Sequence, residues 1–383
     1  MLTSKPTLTS PIGSNTPGVR RVSFASVLVK WQRTHGRHDL PWQVVLDPYR
    51  VWVSEIMLQQ TQVVTVISYF ERFMQRFPNV QSLAKANQDE VLGLWSGLGY
   101  YSRARNLHRC AQDIVRLHGG DFPRDFQTLQ TLAGIGPSTA AAIASICFSE
   151  RVPILDGNVK RVLTRLMGYG LDLSVSSNLK ELWGVAMHML PASKKDMPTY
   201  TQGIMDLGAT VCTPKNPKCE VCPAKNMCVA VRSGEPHQYP VKTKKIKRTT
   251  HSLWMLCLIN ERHQIWLEKR PAKGIWAGLY CVPVLNTQEE LEACAALVGA
   301  KKLHHREPVT HALTHKELIL HWTQTKHFNS KKLSQFNPAP TNNPNNAGGA
   351  FSNGAWYSMK SWSPLGLPAP VRKLMIQVES ELT

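Results

Sequence analysis

The sequence predicts a multi-domain fold in which an all-α half is followed by an α+β half. At 383 residues the chain is too long for one ordinary core. Helical apolar periodicity with capping residues runs from residue 24 to about residue 230, and short β-prone runs appear beyond residue 250. Hydrophobic residues make up 43% of the chain, so both halves have enough apolar side chains to bury a core.

Charge narrows the class of partner. The formal net charge of +19 favours a polyanion, and no apolar run reaches membrane-spanning length, so we expect nucleic acid and no membrane. The first 38 residues contain neither Asp nor Glu. We therefore expect residues 1–22 to form a disordered basic tail, with an organelle transit peptide as the alternative. Without a leading apolar segment, the expected location is cytoplasmic and nucleoid-associated, with organelle and nucleus left open.

Residues 23–230 are predicted to form the helical domain. Asp47-Pro48 is typical of a helix start, Pro78 of a helix end, and Gly119-Gly120 of a break between two helices. No internal repeat interrupts this pattern. This half is therefore expected to be all-α.

A glycine pair within the helical half predicts a helix-hairpin-helix. Gly134 and Gly136 flank one apolar residue, and a helical stripe of small and apolar residues follows Ser138. Such a tight turn leaves the first amides of the second helix facing outward, where they bind phosphate. A plain turn between helices is the alternative, and the basic charge of the chain favours DNA.

Two carboxyl groups are candidates for acid–base chemistry. Glu55 stands among Trp52, Val53 and Ile56, and burial in that setting is expected to raise its pKa. Asp156 follows an apolar run and precedes a helical pattern, so we expect an N-cap whose pKa is lowered by the helix dipole and amide hydrogen bonds. A solvent-facing Glu and a purely structural cap are the alternatives. One carboxyl group with a raised pKa and one with a lowered pKa is the arrangement typical of enzymes that cleave glycosidic bonds.

Four cysteines predict a metal centre at the end of the helical half. Their spacing is Cys212-x6-Cys219-x2-Cys222-x5-Cys228. Zinc sites more often use two short Cys-x2-Cys pairs, and only one is present here, so an iron–sulfur cluster is favoured over zinc. A disulfide framework is a third possibility, which the scattered remaining cysteines do not favour.

The rest of the chain is predicted to be a linker and an α+β domain. Residues 231–250 form a Pro- and Lys-rich basic linker that either merely connects or also touches phosphate. Within 251–383 we expect strands at 252–260, 263–268 and 317–323, a helix at 288–298, and a mobile Asn/Pro/Gly-rich loop at 336–354.

Several motifs together resemble the MutY family of adenine DNA glycosylases. They are Met57-Leu-Gln59-Gln60-Thr-Gln62-Val, Gly97-Leu-Gly-Tyr100-Tyr101-Ser-Arg103-Ala-Arg105-Asn106-Leu, Leu155-Asp156-Gly157-Asn158-Val-Lys160-Arg161-Val and the four-cysteine spacing. The resemblance runs from about Phe24 to Tyr280 and more loosely to the C-terminus. It implies a monomeric helix-hairpin-helix glycosylase with a [4Fe–4S] cluster. Its substrate would be double-stranded DNA with adenine opposite 8-oxoguanine or guanine.

The resemblance also implies roles for individual residues. Glu55 would protonate N7 of the everted adenine, Asp156 would stabilise the sugar cation, and Asn158 would hold Asp156. The other implied contacts with DNA lie at Gln59, Gln60, Tyr100, Gly134, Gly136, Ser138 and Lys160, with Gln60 and Tyr100 entering the base stack.

Residue 138 separates this chain from lyases of the same superfamily. Those relatives carry a Lys there that forms a Schiff base, and the Ser138 hydroxyl cannot do so. The expectation is a monofunctional enzyme that leaves an abasic site, although Lys160 can react incidentally with that product.

The C-terminal half resembles the family's Nudix-like domain through Lys269-Arg270-Pro271-Ala-Lys-Gly274-Ile-Trp276-Ala-Gly278-Leu-Tyr280. An Arg-Glu-x-x-Glu-Glu core is missing, so this domain is expected to recognise 8-oxoguanine and not to hydrolyse nucleotides. The family pattern Phe-Ser-His is replaced by Leu313-Thr314-His315, which keeps the hydroxyl and the imidazole and loses the aromatic ring.

Three other functions are weighed against this one. A non-catalytic DNA-binding or redox-sensing protein would leave the two carboxyl groups without a purpose. A nucleotide hydrolase would need the missing glutamates. A thymine-glycol or uracil glycosylase is disfavoured by Gln59-Gln60 and by Ser138.

Overall fold

The computed structural model describes residues 23–243, 247–333 and 354–382. The predicted tail 1–22, Lys244 and Lys245 of the linker, and residues 336–353 of the predicted loop lie outside the described residues. The N-terminal half is helical, with α1 Phe24–His35, α2 Pro48–Leu58, α3 Val63–Arg76, α4 Val80–Lys85, α5 Gln88–Leu94, α6 Ser102–His118, α7 Phe126–Leu129, α8 Pro137–Phe148, α9 Gly157–Met167, α10 Ser176–His188, α11 Met197–Asp206 and α12 Val229–Arg232. Short 3₁₀ and π-helical segments complete it at Lys194–Asp196, Leu207–Val211, Cys219–Val221, Lys225–Met227 and Pro236–Gln238.

The predicted helix boundaries are confirmed by their caps. The Asp47 side chain accepts a hydrogen bond from the Tyr49 amide at 3.0 Å, and Pro48 occupies the first position of α2. Helix α6 ends at Gly119, whose φ of 64° is the left-handed conformation that glycine adopts at least cost. These local signals fix where the helices turn.

One apolar core holds the helical half together. Trp52, Val53 and Met57 of α2 are fully buried in it. The run Ala140–Ala144 of α8 is also buried, and α8 packs against α2 and α11. Small side chains let α8 come close to both neighbours, so α2, α8, α9 and α11 are gathered around one point.

The C-terminal half is built on two sheets, which confirms the α+β prediction. Its strands are β1 Thr249–Leu258, β2 Ile265–Lys269, β3 Tyr280–Cys281, β4 Val284–Leu285, β5 His304–His305, β6 Val309–Ala312, β7 Lys316–Thr325 and β8 Gly354–Tyr357. Its helices are α13 Gln288–Leu297, α14 Ser330–Leu333, α15 Met359–Trp362 and α16 Ala369–Ser380.

Strands β1 and β7 form the centre of the larger sheet. They pair in parallel from Thr249–Lys316 to Leu258–Thr325, while β4 pairs with the other edge of β1, and β5 and β6 pair with β7. The smaller sheet has the order β3-β2-β8. Strand β1 begins at Thr249, ahead of the predicted residue 252, because pairing with β7 extends it through exposed polar residues that carry no apolar pattern.

The two halves are in direct contact. The hydroxyl groups of Tyr101 and Ser96 both donate to the Leu367 carbonyl, at 2.8 and 3.1 Å. A Cβ atom on Gly93 would lie 2.0 Å from the carbonyl oxygen of Pro364. The close approach of these two backbone segments therefore requires glycine at position 93.

We expect Gly93→Ala to weaken the docking of the two halves. Overpacking against a backbone atom costs about 1–3 kcal/mol, because the carbonyl of Pro364 has no side-chain freedom with which to move away. Chemical denaturation should show the loss of stability, and limited proteolysis should show faster cleavage between residues 233 and 250.

Gly184→Ala is the matched control. Gly184 is also within a helix, α10, but a Cβ atom there meets nothing within 4 Å. This substitution should stabilise the protein by about 0.5–1 kcal/mol through helix propensity. Equal effects of the two substitutions would contradict the close contact at Gly93.

Candidate active site and DNA interface

A cavity of about 540 Å³ opens among the helices, and the three predicted catalytic residues line its wall. Glu55 comes from the middle of α2, while Asp156 and Asn158 come from the start of α9. The volume falls in the range of sites that take a small organic group such as a base. Residues about 100 positions apart in sequence are thus brought to one cavity.

Glu55 stands on a wall of buried apolar side chains. Its neighbours Trp52, Val53, Ile56 and Met57 are at most 3% exposed. Burial, and to a smaller extent the nearby charge of Asp156, raises the pKa of Glu55 to about 8. The predicted rise is confirmed, so Glu55 carries its proton near neutral pH.

Asp156 caps α9 as predicted, yet the predicted lowering of its pKa is wrong. Its Oδ1 accepts from the Val159 amide at 2.7 Å. Burial is the largest influence and raises the pKa of Asp156, against amide hydrogen bonds from Val159 and Asn158 and the positive charges of Arg161 and Lys160. Desolvation by the surrounding helices thus outweighs the capping interactions from which the prediction was made.

Asn158 is held from both sides. Its Nδ2 donates to Asp156 Oδ2 at 3.4 Å, and its Oδ1 accepts from Arg161 Nη2 at 2.8 Å. Gly208 packs directly on it, since a Cβ atom at position 208 would lie 2.7 Å from the Asn158 Cβ. These contacts fix the amide that touches the carboxylate.

Arg161 connects this group to the cysteine segment. The guanidinium also donates to the carbonyl oxygens of Gly208 and Cys212, both at 2.7 Å. The sequence motif contains Arg161, but sequence reasoning gave it no role. The only sequence signal for Arg161 was a basic residue shortly after the N-cap of a helix, and such a residue normally lies at the surface.

Gln43 is a second residue that sequence reasoning missed. It lines the same cavity, and its buried Oε1 has no hydrogen-bond partner in the described structure. A buried amide oxygen without a partner is costly, so it is suited to accept from a ligand in the cavity. No local sequence pattern marks Gln43.

The predicted helix-hairpin-helix lies between α7 and α8. Gly134 has a φ of 77°, and a Cβ atom there would lie 2.7 Å from the Asn106 Cβ. Gly136 is the N-cap of α8 without a side-chain hydrogen bond, and Ser138 is the second residue of that helix. The first amides of α8 are therefore not capped by the side chain before them.

A second cavity, of about 1150 Å³, lies between the two halves. It is lined by Gln60 and Tyr100 from the helical half and by Thr314 and His315 from the tip of the β6–β7 hairpin. Thr314 Oγ1 donates to the Tyr100 hydroxyl at 3.1 Å. Gln59 lies elsewhere, with its Nε2 3.5 Å from Thr139 Oγ1. Four of the predicted DNA contacts are thus brought to one cleft, whereas Gln59 is turned towards α8.

The four predicted metal ligands line one small apolar cavity of about 30 Å³. Arg165 Nη1 donates to Cys212 Sγ at 3.3 Å, and all nine cysteines are free thiols. Burial raises the pKa of Cys222 to about 11. In the described parts of the chain, no three His, Cys, Asp or Glu side chains are placed closely enough for a single metal ion. Four thiols around one cavity still suit a multi-iron cluster, whose ligands stand further apart.

Known proteins match both halves of the chain. Residues 53–184 match the HhH-GPD superfamily base excision DNA repair protein, and residues 254–377 match the NUDIX domain. The adenine DNA glycosylase of Buchnera aphidicola subsp. Schizaphis graminum is 36% identical over 361 residues, covering 92% of this chain and 97% of that protein. The chain belongs to the adenine DNA glycosylase family. The human adenine DNA glycosylase is 35% identical over 362 residues, covering 77% of this chain and 65% of that protein.

Family membership settles the coarse function. This adenine DNA glycosylase hydrolyses N-glycosyl bonds in base excision repair, and DNA is its partner. The predicted fold class, a helix-hairpin-helix glycosylase domain followed by a Nudix-like domain, is confirmed. Within the described ranges, no helix is both long and apolar enough to cross a lipid bilayer.

We expect Arg161→Gln to disturb both the cavity and the cysteine segment. Glutamine cannot reach Asn158, Gly208 and Cys212 at once, and each buried acceptor left without its donor costs about 1–3 kcal/mol. The melting temperature and the rate of adenine release in a single turnover should both fall.

Arg151→Gln serves as the comparison. Arg151 is exposed and donates to a single carbonyl, that of Pro191, at 3.0 Å. Its replacement should change stability by less than about 0.5 kcal/mol. If Arg161→Gln behaves like Arg151→Gln in both measurements, the connecting role of Arg161 is refuted.

Proposed function

We propose that this enzyme is a monofunctional glycosylase that releases adenine mispaired with 8-oxoguanine, or with guanine, and leaves an abasic site. The observation that supports it most is the pair Glu55 and Asp156 on one cavity with unlike surroundings. Every influence on Glu55 raises its pKa, whereas four interactions oppose burial at Asp156. When the pair holds one proton, that proton therefore resides on Glu55.

The proposed reaction divides the work between these two groups. Glu55 gives its proton to N7 of the everted adenine, and the C1′–N9 bond breaks with its electron pair moving to the purine. Asp156, held by Asn158, stabilises the positive charge on the sugar. Water then supplies hydroxide to C1′ and its remaining proton returns to the carboxylate of Glu55, so adenine and an abasic sugar are the products.

Ser138 supports hydrolysis without strand cleavage, whereas Lys160 is the source of an incidental reaction. Ser138 has no amine with which to attack the sugar. Burial and then the charge of Lys242 lower the pKa of Lys160, which makes its amine a better nucleophile for the incidental reaction with an abasic site.

The cleft between the halves supports recognition of the opposite base. Gln60 and Tyr100 are proposed to fill the space left by the everted adenine, and Thr314 and His315 to contact 8-oxoguanine. Leu313 gives an apolar contact at the hairpin tip in place of an aromatic ring. The amides at the start of α8, with Gly134 and Gly136 shaping the turn, are proposed to bind a backbone phosphate.

The Nudix-like half is proposed to bind and not to hydrolyse. Helix α13 carries Glu289, Glu290 and Glu292. Glu289 interacts with the Thr287 side chain, Glu290 accepts from the Asn286 amide, and Glu292 accepts from Gln288. These carboxylates thus serve local contacts. The division into 1–22, 23–230, 231–250 and 251–383 stays a prediction, as do the monomeric state and the nucleoid-associated location.

Cys212, Cys219, Cys222 and Cys228 are proposed to hold a [4Fe–4S] cluster. The fit rests on four thiols around one apolar cavity and on the guanidinium of Arg165, which offsets thiolate charge at Cys212. When bound, the cluster would cross-link segment 212–228 and take no part in cleaving the glycosidic bond. The Lys215, Lys218 and Lys225 side chains of that segment would then add salt-sensitive affinity for phosphate.

The substrate is tested with four duplexes in which adenine stands opposite 8-oxoguanine, guanine, cytosine or thymine. We expect abasic sites in the first two, seen as strand breaks only after alkali, because Ser138 cannot form a Schiff base. Gel electrophoresis with and without alkali measures both. Strong cleavage at neutral pH without alkali contradicts the monofunctional assignment, and equal release from all four duplexes contradicts the pairing preference.

The role of Glu55 is tested by Glu55→Gln, with Glu71→Gln on the exposed face of α3 as control. A lost proton donor should lower the single-turnover rate by about 10²–10⁴-fold, and the control should change little. The wild-type rate should fall as the pH rises through the Glu55 pKa of about 8. Full activity of Glu55→Gln excludes this residue as the acid.

Stability gives an independent check on the same group. The folded state binds the Glu55 proton more tightly than the unfolded state does, since the pKa rises from 4.5 to about 8 on folding. The stabilisation is therefore complete below pH 4.5 and is lost as the pH rises through about 8. The melting temperature of wild type relative to Glu55→Gln should fall across that window, and a constant difference would contradict the raised pKa.

A further inference from the structure

We infer that Arg103 is a positioning residue that holds Gln60 and Tyr100 in one fixed arrangement, so that they enter the DNA stack as a unit. The inference rests on the proposed function, which assigns these two side chains to the stack. It concerns a residue at the start of α6 that lines neither cavity.

On one side, Arg103 ties down the end of the helix that carries Glu55. Its Nη1 donates to the carbonyl oxygens of Ile56, Met57 and Gln59, at 2.8, 3.0 and 2.6 Å. These are carbonyls at the C-terminal end of α2, which lack partners within the helix. The contact fixes the backbone immediately before Gln60.

On the other side, Arg103 fixes the loop that carries Tyr100. Its Nη2 donates to the carbonyl oxygens of Leu98 and Gly99, both at 3.3 Å. The guanidinium carbon also lies 5.3 Å from the centre of the Tyr100 ring and 5.4 Å from that of Trp95. One planar cation thus joins two segments about 40 residues apart in sequence.

The backbone at both held residues is strained. Gln60 has a φ of 58° and Tyr100 a φ of 48°, in the left-handed region that residues other than glycine rarely adopt. Each such conformation costs about 1–3 kcal/mol and persists only where the surroundings enforce it. Arg103 contacts the residue before Gln60, and both the backbone before Tyr100 and its ring, so it is placed to enforce both.

The chemistry of the site requires a guanidinium. Arg103 is 9% exposed and forms no salt bridge among the described residues, so its charge is met by helix-end carbonyls and aromatic faces. Lysine carries the same charge, but its single ammonium cannot span two segments or stack on the Tyr100 ring. Arg103→Lys therefore removes the connection and keeps the charge.

Arg50→Lys is a matched control. Arg50 is half-buried, donates to one backbone carbonyl, that of Pro41, at 2.7 Å, and its guanidinium carbon lies 5.2 Å from the centre of the Phe70 ring. It contacts neither Gln60 nor Tyr100. A general effect of losing a packed arginine should therefore appear in both variants.

The experiment follows eversion and release separately, well below the melting temperature of each variant. Eversion is measured as the fluorescence of 2-aminopurine replacing adenine opposite 8-oxoguanine, and release as the single-turnover rate on the adenine duplex. We expect Arg103→Lys to lower the fluorescence change and to slow release by about 10–100-fold, as misplacement by about 1 Å does. Arg50→Lys should leave both within about twofold, whatever its loss of stability.

A mutant cycle separates the inference from the function on which it rests. The double variant Gln60→Ala, Tyr100→Ala should by itself reduce eversion. Adding Arg103→Lys to it should then reduce eversion only slightly further. If the double alanine variant keeps full eversion, the stacking role in the proposed function fails. If it loses eversion while Arg103→Lys keeps it, or if Arg103→Lys adds its full effect to the double variant, the inference is overturned. If Arg103→Lys does not fold, Arg103→Gln replaces it, because a glutamine amide can reach only one of the two segments. The same outcomes then support or overturn the inference.

Discussion

Two carboxyl groups that share one cavity are the constraint on which the structure depends. Like charges in a poorly solvated site cannot both ionise at low cost, and the pKa of each is raised by burial. Only Asp156 has amide hydrogen bonds and nearby cations to oppose that burial. Which carboxyl group is the acid and which is the anion thus depends on the groups that surround each one and not on the residue type.

The groups that surround Asp156 come from distant parts of the helical half. Asp156 depends on Asn158, Asn158 depends on Arg161 and on the space at Gly208, and Arg161 reaches the backbone of the cysteine segment at Cys212. Segment 212–228 therefore contacts the group that orients the carboxylate, although none of its residues lines the cavity. Under the proposed function, contacts of this kind would let a cluster remote from the reacting atoms support catalysis without taking part in it.

The second cavity requires the two halves to be docked. Tyr100 and Thr314 meet across it, and Leu367 accepts hydrogen bonds from two hydroxyl groups of the helical half close to the same loop. The residues that line this cleft come from both halves, whereas Glu55, Asp156 and Asn158 come from one. Under the proposed function, recognition of the opposite base is therefore expected to be more sensitive to the contact between halves than bond cleavage is.

The sequence by itself determined whatever rests on near neighbours along the chain. Helix limits at Asp47 and Gly119, the turn at Gly134, the cap at Asp156 and the cysteine spacing are all local, so their chemistry is visible in the printed residues. The rise in the Glu55 pKa was also foreseen, because its apolar neighbours belong to its own helix.

Only the tertiary structure decided what depends on burial by remote segments. The pKa of Asp156 rises because packed helices remove water from it, an effect that outweighs the cap. Arg103 and Arg161 are buried and join separate segments, and Gln43 Oε1 lacks a hydrogen-bond partner, only because segments far apart in sequence surround them. Desolvation depends on every atom within a few ångströms, and the order of residues along the chain does not specify which atoms those are.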